Sequence, residues 1–247
     1  MIEIRNREDR VLYTDQEADE LRYAVVRAIE RGIDLSGARL AGIDLHMLDL
    51  ADAVLSDANL DRANLTGANL EDVDLSRASL VGASLRGANL EDASLGGADI
   101  TNAVFDGANL ERADLRDARG EGASFARANL ERTCFENFRG ERAVFSRSNI
   151  ERSNLRHAKL AQADLTAANL ERCDFRGAEL AGATLAAANV ERCDLRRADL
   201  TGANLREANL EKCEVDEAIF DGADTTSANL AGLRGTPASR PASNPYR

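Results

Sequence analysis

Residues 68–92 read ANLED-VDLSR-ASLVG-ASLRG-ANLED, five units of five residues that begin and end on the same pentad. Leu70, Leu75, Leu80, Leu85 and Leu90 each stand two positions after Ala or Val. A period of five fits neither the 3.6 of a helix nor the uninterrupted 2 of a strand. Within a unit, the small residue and the Leu are two apart, so both point to one side of a short extended piece. The other two residues, often including Gly or Asp, must turn the chain. The pattern therefore predicts a coil of short extended segments with a corner after each.

Working outward, the register holds without insertion or deletion from Leu35 to Leu230, a series of 40 residues. All but Gly120, Gly140 and Thr225 are Leu, Ile, Val or Phe. The series two positions earlier, Ile33 to Ala228, is Ala, Ser, Thr or Cys except at Ile33, Ile43, Leu48, Val73 and Phe138. A second period sets the number of sides. Asn recurs every 20 residues from Asn69 to Asn229, Glu from Glu71 to Glu211, and Arg from Arg112 to Arg192 with Lys212 closing the column. Cys173, Cys193 and Cys213 keep the same step. Twenty residues are four pentads, so each coil has four sides and 40 pentads give ten coils. At the roughly 4.8 Å spacing of paired strands the rod is about 48 Å long.

The A-(D/N)-L-x-x units over residues 33–230 resemble the pentapeptide-repeat family. The resemblance implies an all-β solenoid, a right-handed quadrilateral β-helix with Leu or Phe inside, and no catalytic machinery. It does not imply one function. A minority of the family are acidic rods that resemble B-DNA and bind DNA gyrase.

The rod needs its ends covered, because terminal coils expose apolar surface and strand edges. Residues 1–33 are expected to be an N-terminal cap. Ile2 to Arg5 and Arg10 to Tyr13 form a hairpin, and Asp15 to Arg31 a helix opened by a Thr14/Glu17 capping box and stopped at Gly32. Ala18, Leu21, Val25, Ala28 and Ile29 fall on one helical face. That face should lie over the first coil beside Ile33, Ile43 and Leu48. The repeat domain spans 34–232, and residues 233–247, which hold all three Pro in Gly235–Arg247, read as a flexible tail. Similar gyrase-binding proteins dimerise through a C-terminal helix that this sequence lacks, so the expected state is a monomer or an end-to-end homodimer through the C-terminal coil.

Composition agrees with a thin core. The 247 residues are 44% hydrophobic but only 4% aromatic, with no Trp. A net charge of -12 argues against direct nucleic-acid binding, which rests on Lys and Arg against phosphate. No apolar run is long enough to span a membrane. The charged N-terminus does not read as a signal peptide, and unpaired Cys at inward positions fit the cytoplasm. No nucleophile, phosphate loop or metal spacing appears, so no enzyme, metal or cofactor is expected. His46 and His157 read as surface residues, and the Cys column as small core filler.

Three features stand out as candidate interaction surfaces. Residues 34–110 hold 4 basic and 13 acidic residues, against 18 and 22 in 111–230. The acidic part includes Asp44, Asp49, Asp52, Asp57, Asp61, Asp72, Asp74, Asp92 and Asp106. Such a rod could present a duplex-like potential to a type II topoisomerase, though solubility alone also accounts for it. A low-charge patch of Ala161, Thr166, Ala167, Ala181, Ala186 and Ala187, with Gln162 and Gly182, should cluster on two adjoining sides. The Asn-Glu-Arg columns form a regular third surface whose simplest reading is a self-compensated solvated face. The primary expectation is a protein-interaction scaffold, with DNA mimicry toward gyrase or topoisomerase IV the alternative.

One core detail is predicted too. Gly120 and Gly140 replace two stacked inward Leu, and Phe138 sits where the repeat is otherwise small. Phe138 should fill the space the two Gly leave, because unfilled volume is costly.

Overall fold

The turn decides the shape. In the computed structural model, which describes residues 1–239, each pentad ends in a hydrogen-bonded reversal such as Ala68 N–H to Leu65 C=O at 3.1 Å. From Gly37 to Gly232, every fifth residue has a positive φ, as with Asp52 at 58°, Arg112 at 60° and Gly182 at 67°. A closing hydrogen bond with a left-handed third residue is the signature of a type II turn, which L-residues enter only at a cost. One corner conformation is thus repeated along the rod, whichever side chain it carries.

Between corners, single residues pair with the coils above and below. Arg39↔Asn59, Asp44↔Asn64, Asp49↔Asn69 and Val54↔Asp74 start four ladders of parallel bridges, all with a step of 20. Around one residue, Asn89 N–H donates to Ala68 C=O at 3.0 Å, and Leu70 N–H to Asn89 C=O at 2.7 Å. Backbone groups are satisfied by neighbouring coils rather than within a strand, as buried polar groups require. The result is a four-sided β-helix. We label the sides by their outward residues: side A carries Arg119 and Arg139, side B Ser124 and Val144, side C the Asn column, and side D Cys134 and Asn154.

The two inward series fill the interior. The Leu positions and the small positions are almost all fully buried in one continuous cluster. Phe138 is fully buried, and a Cβ placed on either Gly120 or Gly140 would overlap its ring. The two Gly therefore make room for one Phe that enters from the small position of the same side. Phe105, Phe125 and Phe145 stack along the axis with centroids 4.9 Å apart, and Phe135 meets Phe138 edge-on at 5.1 Å.

A leader precedes the first coil. Strands β1 (Ile2–Arg5) and β2 (Val11–Asp15) form an antiparallel hairpin, followed by helix α1 (Leu21–Glu30). The helix is shorter than Asp15–Arg31, and the Thr14/Glu17 capping box is not formed. Instead the buried Asp15 carboxylate accepts the backbone N–H groups of Glu17 and Ala18, both at 2.8 Å, so the first turn is spent on a bend. Asp15 also meets Arg27 at 3.1 Å. Burial opposes its ionisation, yet the two backbone donors and Arg27 outweigh it and hold the carboxyl below the ordinary range. Gly32 closes the helix in the left-handed conformation, with Gly32 N–H to Ile29 C=O at 2.7 Å and Ile33 N–H to Ala28 C=O at 2.9 Å. Ala24, Val25 and Ala28 are buried in the same cluster as Leu35, and Ile33 and Leu48 pack against it. An Asn6↔Ala38 bridge ties the hairpin to the coil.

At the other end the ladder passes the expected boundary at 232. Glu214 bridges Arg234, Leu233 packs on the core, and Ala238 N–H donates to Ala218 C=O at 2.8 Å. Residues 233–239 thus continue the winding rather than leaving it as a flexible tail, because Ser239 Oγ and the backbone of 234–238 satisfy donors and acceptors of the coil beneath. The remainder of the expected tail, 240–247, lies outside the described residues.

Candidate interaction surfaces

Uniform corners put every outward side chain on a fixed grid, so a surface can be read column by column. Side C is an amide ladder. Asn69 Nδ2 donates to Asp49 Oδ1 at 2.9 Å, and each later Asn donates to the one before it, from Asn89 at 3.1 Å to Asn229 at 2.9 Å. In every rung from Asn69 to Asn229 but Asn149, the Oδ1 also takes a backbone N–H two residues on, as with Glu111 N–H to Asn109 Oδ1 at 3.3 Å. With both polar ends committed, the ladder holds register and offers a ligand little.

The corner between sides C and D is an ionic zipper. Arg152 meets Glu131 at 3.2 Å and Glu151 at 3.3 Å, and Arg192 meets Glu171 at 3.2 Å and Glu191 at 3.0 Å. Like charges stacked at one register position repel, and alternating columns cancel that repulsion. This surface is charged but internally satisfied.

The nine acidic candidates do not form one stripe. Asp44 lies on side B, Asp49 on side C and Asp74 on side D, while Asp52, Asp57, Asp61, Asp72, Asp92 and Asp106 occupy corners all around the rod. Four are already paired: Asp44 with Arg22 at 3.5 Å, Asp57 with Arg77 at 2.7 Å, Asp92 with Arg112 at 2.8 Å and Asp106 with Arg86 at 2.9 Å. Hydrogen bonding from Arg77 and Arg112 holds the Asp57 and Asp92 carboxyls below the ordinary range.

The low-charge patch is brought together, but on one side rather than two. Ala161 and Ala181 stack at one corner of side B, and Thr166, Ala167, Ala186 and Ala187 at the other. The Asp164↔Thr184 bridge runs between them and puts a carboxylate in the middle of the patch.

The Cys column is more than filler. Cys173, Cys193 and Cys213 are buried and their thiols donate to the carbonyls of Ile150 at 3.0 Å, Leu170 at 2.8 Å and Val190 at 2.9 Å. Thr133 and Ser153, in the same column, donate to Leu110 and Leu130 at 2.9 and 2.7 Å. Their shared spacing was the available signal, since Ser, Thr and Cys all carry a short donor. Burial, and after it the neighbouring thiols, push the Cys193 pKa well up. His46 and His157 are exposed, and His46 Nδ1 lies 2.7 Å from Asp44. Among the described residues no group of His, Cys, Asp and Glu is gathered to hold a metal ion, and no helix is long and apolar enough to cross a membrane.

A basic band escaped the sequence reading. Residues 112–160 hold 11 basic and 7 acidic residues, between acidic stretches on either side. Averaging from 111 to 230 hid it. On side A, Arg119, Arg139 and Lys159 occupy consecutive rungs, and Arg127 and Arg147 stack on the far corner of side B.

The family model described as Pentapeptide repeats matches in 8 copies, over residues 33–72, 68–107, 101–139, 141–177, 178–214 and 203–234. The chain belongs to the pentapeptide-repeat family. Among solved pentapeptide-repeat structures it is similar to HetL, involved in heterocyst differentiation regulation in the cyanobacterium Nostoc sp.. That match has 28% identity over 85% of this chain and 95% of HetL, with a TM-score of 0.43. It is also similar to QnrB1, a plasmid-mediated fluoroquinolone resistance protein, at 18% identity over 78% of this chain and 91% of QnrB1, with a TM-score of 0.37. A pentapeptide repeat protein of the Arabidopsis thaliana thylakoid lumen shares 29% identity over 39% of this chain and 67% of its own, with a TM-score of 0.23. No curated protein matches.

Proposed function

We propose that this pentapeptide-repeat protein is a non-enzymatic scaffold of about ten coils that binds a protein partner through its outward columns, with residues 1–33 capping one end. The observation that carries the reading is the uniform corner from Gly37 to Gly232, which leaves flat sides with side chains at fixed spacing and no projecting loop. Flat, rigid surfaces cost little ordering entropy on binding, which suits them to protein recognition. Free thiols at Cys134, Cys173, Cys193 and Cys213 fit work in the cytoplasm. Capture with the full chain from its native host, followed by titration of the purified captured protein, tests the scaffold. A saturable complex in the micromolar range or tighter is expected, and the lack of any such complex would overturn it.

A second reading, modulation of a type II topoisomerase by DNA mimicry, is favoured by one observation: the excess of 13 acidic over 4 basic residues in 34–110. Against it, four of the nine Asp are already matched by Arg. A gyrase supercoiling assay separates the two. Neither inhibition nor protection at micromolar protein removes the mimicry reading and leaves the scaffold standing.

A further inference from the structure

The repeat places Asp, Asn or Ser at most outward rungs, so a run of cations at that position is a departure, not a copy. Arg119, Arg139 and Lys159 make that departure on three consecutive rungs of side A, joined by the Arg119↔Arg139 and Arg139↔Lys159 bridges. Their backbones are therefore stacked at roughly the 4.8 Å of paired strands, where like charges repel. In the zipper at the other corner, such repulsion is relieved by an interleaved Glu column. Here it is not: Lys159 reaches Glu179 at 3.6 Å, but among the described residues Arg119 and Arg139 have no ion pair. The groove along the corner of Arg156, Arg176 and Arg197 makes an instructive contrast. Arg156 meets Glu136 at 3.2 Å, Arg197 meets Glu217 at 2.9 Å, and Arg176 is bound to Asp174. Those arginines are spent on the rod, whereas Arg119 and Arg139, like Arg62, Arg127 and Arg147 at the corners, keep no ion pair among the described residues.

The ground beneath them is firm. Arg119 and Arg139 directly precede Gly120 and Gly140, which close over the buried Phe138 ring. A pre-organised cationic surface loses little freedom when a counter-charge arrives.

We propose that the Arg119–Arg139–Lys159 column is a docking surface for an acidic segment of a protein partner. The proposal rests on the scaffold reading and gives it one surface and one partner chemistry. A protein fits better than a nucleic acid because Glu121 and Glu141 line the same depression as Arg119 and Arg139. Those carboxylates would repel a continuous phosphate backbone, whereas a peptide supplies N–H donors alongside its carboxylates.

The test uses the full chain and a fluorescein-labelled oligo-glutamate peptide, followed by fluorescence anisotropy at low salt. Arg119→Asn/Arg139→Asn restores the residue the repeat itself uses, so the rod should fold with an unchanged melting curve. Binding to the native chain is expected, weakened about tenfold in the double variant and by added salt. Arg172→Asn, in the zipper, should leave it within about twofold. Equal loss in both variants, no loss in the double variant, or no peptide binding at all would overturn the proposal. Tighter binding of a short duplex DNA, lost in the same double variant, would overturn it in favour of a nucleic acid. A host partner captured equally well by the double variant removes this surface and leaves the scaffold intact, whereas capture of nothing by the native chain removes the scaffold itself.

Discussion

Phe138 occupies a position that is Ala, Ser, Thr or Cys in nearly every other pentad, and it can do so only because Gly120 and Gly140 have no side chains. Removing the ring leaves a hole that neither Gly can fill. Phe138→Ala should therefore cost about 3–5 kcal/mol, read as a lower midpoint in thermal unfolding. Adding Gly140→Leu should recover part of it, since the missing volume is then supplied from its usual position. Corner residues offer the opposite experiment. Ala187 is exposed at a φ of 55°, where its Cβ is crowded and its methyl gains nothing from burial. Ala187→Gly should raise stability by about 1 kcal/mol, seen in the same melting experiment.

At the scale of elements, the thiol column and the leader make separate predictions. Three of the four Cys are buried with their S–H groups committed to carbonyls, and burial first and neighbouring thiols second keep Cys193 protonated. Only the half-buried Cys134 should react with a thiol reagent in native buffer, and all four after denaturation. Early reaction of Cys193 would contradict its hydrogen bond to Leu170. For the leader, the important group is Asp15, which fixes the bend before α1 and holds Arg27. Its pKa in the fold lies below the ordinary 3.8, so its contribution is complete above that value and lost as pH falls through the folded one. Protection of the amides over Leu21–Glu30, measured against the intrinsic exchange rate at each pH, should therefore fall below about pH 4 before that of the coils changes. Asp15→Asn should show the same loss at neutral pH.

Across the whole molecule, the coil was legible because one period of five and one of twenty leave a single geometry, and even the Phe138 exchange could be read from the two missing Leu. What was not legible depends on reach. Asp15 could take the backbone donors that a Thr14/Glu17 box would have used, and Arg234 could extend a ladder although no pentad motif marks it. The candidate surfaces were harder still. Counting charges along the chain finds the acidic beginning, but only the grid shows Asp44, Asp49 and Asp74 on three different sides and Arg119 beside Arg139. The same grid predicts where the rod is strongest. In a stacked array each coil is stabilised chiefly by its neighbours, and the backbone bonds between coils are nearly identical, at 2.6–2.8 Å for the Leu-position donors from Leu60 to Phe175. Differences in stability must then come from the side chains inside. Phe105, Phe125 and Phe145 form one continuous stack, with Phe135 and Phe138 set edge-on against it. Larger buried rings add apolar area and aromatic contact to those interfaces alone. Hydrogen exchange followed by mass spectrometry should accordingly find the slowest amides between residues 105 and 145, with protection falling toward both ends of the rod. Equal protection along the whole length would mean that backbone pairing, not the Phe-packed interior, sets the stability of each coil.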